Sequence, residues 1–148
     1  MKSLFWAFLV ISMAWITGCQ TDGVVIRQMP LSLNEIRRAI VQVIGEPAGV
    51  SPNGYELKSK YYDKDGKEYF DRAAENAAKQ RFYTDVEVVG DRRPYDIHVQ
   101  VIPEIKTEEG FERQESDDVK AEKIADKIRN ALHEGRDKRN MIDDFQAF

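Results

Sequence analysis

Between Leu4 and Ile16 every position but Ser12 is apolar, and no comparable run recurs beyond Cys19. There the apolar residues fall into periods instead. Leu33, Ile36, Ala39, Ile40, Val43 and Ile44 recur at three- and four-residue steps, the spacing of one helix face. Ser32 precedes this stripe with Glu35 three positions on, a capping box, and Gly45 ends it. A helix is predicted over 33–44. Over 55–62 the chain alternates, with Tyr55, Leu57 and Tyr61 on one face and Glu56, Lys58 and Lys60 on the other. Asp63-Lys64-Asp65-Gly66 reads as a hairpin turn returning through 67–70. Residues 71–80 are helix-prone with only alanines to bury, which predicts a short helix. The strongest strands are 82–89 and 95–103; in the second, Tyr95, Ile97, Val99 and Val101 oppose Asp96, His98 and Gln100. A weak strand follows at 111–114. Ser116 is then placed to cap a second main helix with the stripe Ala121, Ile124, Ala125, Ile128, Ala131 and Leu132, for which Gly135 is the expected stop.

Two helices with single apolar stripes and strands with one apolar face predict an α+β fold. The expected architecture is a two-layer sandwich, a mainly antiparallel sheet of four to five strands with both main helices on one face. The chain divides into an apolar N-terminal segment (1–18), a tether (19–30) in which Val24-Val25-Ile26 could add an edge strand, a globular domain (31–134) and a C-terminal tail (135–148). Strand order is not readable from the pattern.

The N-terminal segment has the anatomy of an export signal. Lys2 supplies its charge, the apolar run is too short for an ordinary bilayer span, and Ile16-Thr17-Gly18-Cys19 follows. In these residues the chain resembles bacterial lipoproteins, whose signals end in a branched aliphatic residue, a small residue, Gly or Ala, and an obligatory Cys. The resemblance spans about 20 residues and concerns processing, not the mature fold. It implies diacylglyceryl transfer to the Cys19 thiol, cleavage before Cys19, and acylation of the new amino terminus. The acyl chains would anchor the protein durably in lipid. Gln20, where Asp would direct retention in the inner membrane of enteric-type bacteria, implies an outer-membrane anchor facing the periplasm, or a cell-membrane anchor in a host without an outer membrane.

Composition narrows the remainder. Hydrophobic residues make up 42% of the chain, and the first segment takes a disproportionate share, so the mature core is small. Net charge is −4, and loss of Lys2 makes the mature chain more acidic still. That balance argues against nucleic acid as a partner. A single cysteine excludes an intramolecular disulfide and any multi-cysteine metal site.

No catalytic set emerges. Cys19 is the sole thiol, His98 and His133 are the only histidines, and no serine sits in a Gly-x-Ser-x-Gly elbow. Asp63-x-Asp65-Gly66 has its glycine too early for a calcium loop. No catalytic residue, metal ligand or cofactor is therefore assigned. The helix carrying Leu33-Asn34-Glu35-Ile36-Arg37-Arg38-Ala39 invites comparison with the peptidoglycan-binding helix of OmpA-like domains. Asn34 replaces a Ser there, an extra Arg shifts the Ala, and no site carries over. Candidate partner or ligand contacts are Arg92 and Arg93, a cationic pair in a turn, together with Ile142, Phe145 and Phe148 in the tail, which either fold back on the core or dock on a partner. The sequence points to a non-enzymatic, lipid-anchored envelope protein that scaffolds or assists an assembly. The alternative is a small-ligand or cell-wall (peptidoglycan) binding module using the polar sheet face or the tyrosines.

Overall fold

A computed structural model describes residues 22–145, with side-chain environments through Arg136. The fold is α+β, as the periodicity predicts. Its elements are β1 (Val24–Met29), α1 (Leu33–Ile44), β2 (Gly49–Val50), β3 (Glu56–Lys58), α2 (Arg72–Ala77), β4 (Gln80–Val89), β5 (Tyr95–Lys106), β6 (Phe111–Arg113) and α3 (Asp118–Phe145). The strands form one sheet in the order β1-β5-β4-β3-β2, every pair antiparallel. β6 pairs with the last residues of β5, on the edge whose other stretch β1 occupies.

Helix α1 forms over the predicted residues for the predicted reason. The Glu35 N–H donates to Ser32 Oγ, and the Ser32 N–H donates to the Glu35 carboxylate at 2.7 Å. Ile36, Ala39, Ile40 and Ile44 are buried against the sheet. From α3 come Ala125, Ile128, Ala131 and Leu132, and from the sheet Val86, Val88, Ile97 and Val99. Each fully buried aliphatic side chain contributes about 1.5–3 kcal/mol. A smaller cluster of Phe82, Val101 and Ala121 continues this layer, with Tyr62 stacked on Phe82.

Four expectations are corrected. The tether is shorter than its expected span: the edge strand offered at Val24-Val25-Ile26 forms as β1, whose Val24 and Ile26 pair with Val99 and Ile97 and bring an apolar side chain to the core. Tyr61 does not share a face with Leu57. Ser59 pairs across from Thr84 but Tyr62 from Phe82, so one extra residue bulges and sends Tyr61 to the opposite face. Ser116 does not cap α3: its Oγ accepts the Val101 N–H, and Asp117 accepts the Lys120 N–H at 3.0 Å instead. Nor does Gly135 end that helix, which runs through it to Phe145 because the glycine keeps a right-handed backbone with open space around it. The segment read as a separate tail is thus helical as far as Phe145, while Phe148 lies outside the described residues.

Candidate functional site

Both long helices cover one face of the sheet, which leaves the other to be furnished by the sheet's own side chains. On β4 that face carries Arg81, Tyr83, Asp85 and Glu87; on β5 it carries His98, Gln100, Ile102 and Glu104. The face divides in two.

Its first half is closed over itself. The Tyr61 and Phe111 rings lie on either side of the Arg81 guanidinium, each 3.8 Å from it. Arg81 pairs with Glu75 at 2.6 Å and Glu104 at 2.7 Å, and Tyr61 donates to Glu104. Beside it the Lys58 ammonium sits 3.8 Å above the Tyr83 ring, which meets Tyr61 edge-on. Under this layer Tyr83 and Ile102 are buried although they face away from α1 and α3. Burial, and then the neighbouring Glu104, raises the Tyr61 phenol above the usual tyrosine range. Every arm of Arg81 is already occupied, so this half is a structural knot.

The second half stays open. Glu56, Asp85, Glu87, His98 and Gln100 line a recess of about 180 Å³. Register alone assembles it: Glu56 lies across from Glu87, Glu87 from His98, and Asp85 from Gln100. Like charges directly opposite are unfavourable, and Glu56 and Glu87 are such a pair. Asp85 Oδ1 is buried with no hydrogen-bond partner among the described residues. Burial, and then the charge of Glu56, raises its pKa. Among the described residues no group of His, Cys, Asp or Glu is arranged to hold a metal ion. What the recess offers is negative charge for a cationic group.

The raised Asp85 pKa gives a prediction with a definite sign. The folded state holds this proton more tightly than the unfolded chain, so its contribution is complete below the ordinary aspartate range and is lost as pH rises through the raised value. Asp85→Asn should therefore stabilise the protein at neutral pH. The advantage should shrink on acidification. Thermal melts of both proteins across pH test this, and an advantage that grows toward low pH contradicts it.

The sequence-derived candidates do not gather here. Arg92 and Arg93 are exposed at the β4–β5 tip and do not line the recess. Ile142 and Phe145 belong to the last turns of α3, while Cys19 and Phe148 lie outside the described residues. His98 and Gln100, read from the pattern as a polar strand face, do line the recess. Tyr61 and Tyr83 belong to the tyrosines offered as a binding surface, but Arg81 and Phe111 are not singled out by the sequence. The only signal for Arg81 is alternation with the apolar face of β4; its ring partners come from a bulge and a short edge strand. No family model, curated protein or solved structure matches this chain.

Proposed function

We propose that this chain is a lipid-anchored lipoprotein of the bacterial envelope that works by binding, as a scaffold or accessory subunit of an envelope assembly. The anchor is acylated Cys19, and the location is the periplasmic side of the outer membrane, or the cell membrane where the host has only one. The observation that carries this reading is the position of the lipoprotein-like box Ile16-Thr17-Gly18-Cys19. It falls directly ahead of the residues from which the domain is built, with only Gln20 and Thr21 between Cys19 and Asp22. A processed chain would thus consist of an anchor and a folded domain, with almost nothing between. The absence of an assigned catalytic set leaves the reading non-enzymatic. The open recess favours a second reading, a module for a small cationic ligand or an amine of the cell wall.

Metabolic labelling with a fatty-acid analogue tests the anchor. The wild-type protein should carry the label and sediment with membranes, whereas Cys19→Ala should lose the label and be released or misprocessed. Membrane retention of an unlabelled wild-type protein overturns the reading. Crosslinking in cells then separates the two roles: a dominant protein partner that depends on Cys19 supports the scaffold, and a co-purified glycan or small molecule supports the module.

A further inference from the structure

Asn53 is the only asparagine of the chain that is followed by glycine, in the turn Ser51-Pro52-Asn53-Gly54 between β2 and β3. Such a pair is chemically labile. The Gly54 nitrogen can attack the carbonyl carbon of the Asn53 side chain, with no Cβ on the glycine to hinder the approach. The Cγ–Nδ2 bond then breaks, ammonia leaves carrying the proton that the Gly54 nitrogen gives up, and a five-membered succinimide closes. Water adds to either carbonyl and opens the ring. The product is aspartate, or an isoaspartate whose main chain runs through the former side chain.

In the folded turn both reacting groups are engaged. The Gly54 N–H donates to the Ser51 carbonyl at 2.8 Å. Asn53 Oδ1 accepts the Ser51 hydroxyl at 2.7 Å and the Tyr55 N–H at 3.2 Å, which fixes the plane of the side-chain amide. Ser51 is itself held by Glu56: its N–H donates to the Glu56 carbonyl at 3.0 Å, and its Oγ accepts the Glu56 N–H at 2.9 Å.

Helix α1 adds a cover. Gly54 takes φ +74°, and a Cβ on it would meet Arg37 Nη1 at 3.0 Å and Cζ at 3.3 Å, so the guanidinium lies directly over the glycine. Gly54 is consequently buried although Asn53 is exposed. Cyclisation needs a base from solvent to take the Gly54 proton and needs the amide to turn toward the Gly54 nitrogen. The Arg37 cover and the bond to the Ser51 carbonyl oppose the first, and the two donors on Oδ1 oppose the second.

We infer that Asn53 is a modification site that the fold withholds: the bonds to Ser51 and the cover of Arg37 keep the Asn53–Gly54 pair intact, and loosening of this turn releases isoaspartate formation. The change bears on the acidic recess. Isoaspartate lengthens the main chain by one atom and adds a carboxylate within the loop that Ser51 and Glu56 close, and Glu56 is one wall of the recess.

The purified protein and a synthetic peptide of residues 50–57 are incubated side by side in mildly alkaline buffer. Labelling by isoaspartyl methyltransferase measures the product, and mass spectrometry places the mass gain of deamidation at residue 53. The peptide should convert faster than the folded protein by about tenfold or more, since the protein reacts only when the turn opens. Arg37→Ala and Ser51→Ala should each speed conversion severalfold. Thermal melts in the same buffer show that both variants are folded during the incubation, so that the gain belongs to the turn and not to the unfolded chain. A wild-type rate equal to that of the peptide overturns the proposal, and so does an unchanged rate in either folded variant.

Discussion

Arg81→Ala should lower stability by about 2–4 kcal/mol, a large part of the margin by which a small domain is folded. The side chain is 12% exposed and has no spare contact: carboxylates from Glu75 and Glu104 hold its edge, and the rings of Tyr61 and Phe111 hold its faces. Alanine leaves Glu104, also 12% exposed, without its cationic partner and opens a gap between the rings. Removing one member of a buried pair costs more than the pair contributes, because the other charge stays desolvated. Arg81→Lys should fall between wild type and alanine, since an ammonium keeps the charge but cannot fill a planar slot or serve two carboxylates along one edge. Denaturant midpoints with an unchanged slope provide the measurement. A loss below about 1 kcal/mol would mean that the knot behaves as a solvated surface pair.

The helical layer was legible because helix burial repeats locally. Ser32, Glu35 and the stripe from Leu33 to Ile44 contain the whole instruction for α1, and the observed element has those bounds. The open face was legible only by halves. Alternation assigns His98 and Gln100 to the polar side of β5, yet it does not say that Glu87 and Asp85 lie across from them, because register is a property of two strands. The pattern misplaces Tyr61 for a related reason: strict alternation holds only while each residue has one partner, and the bulge after Ser59 adds one. Residue type alone marks Gly135 as a stop. A glycine ends a helix when it takes a left-handed conformation, and this one does not. Asp117 rather than Ser116 caps α3 because Ser116 is claimed by the backbone of Val101, a competitor distant in sequence.

The second large effect is expected at Ile97. It is fully buried in β5, across from Val88 on one side and Ile26 on the other, and it belongs to the cluster shared with Ile36, Ile40 and Ile128. Ile97→Ala should cost about 3–5 kcal/mol, the transfer loss of the missing methyl groups plus the cavity left among neighbours that are themselves fixed. Ile97→Val should cost about 0.5–1.5 kcal/mol. Ile105 provides the control within the same strand: at 42% exposed, its replacement by alanine should change stability by no more than about 0.5 kcal/mol. The contrast matters because β1, the first strand of the described residues, has Ile97 as a direct cross-strand partner through Ile26. Weakening that contact loosens the segment beside Asp22 as well as the core, so proteolysis of Ile97→Ala should cut within β1 before it cuts within β4. Equal protection of the two strands would mean instead that β1 and the sheet open as one unit, only when the whole fold is lost.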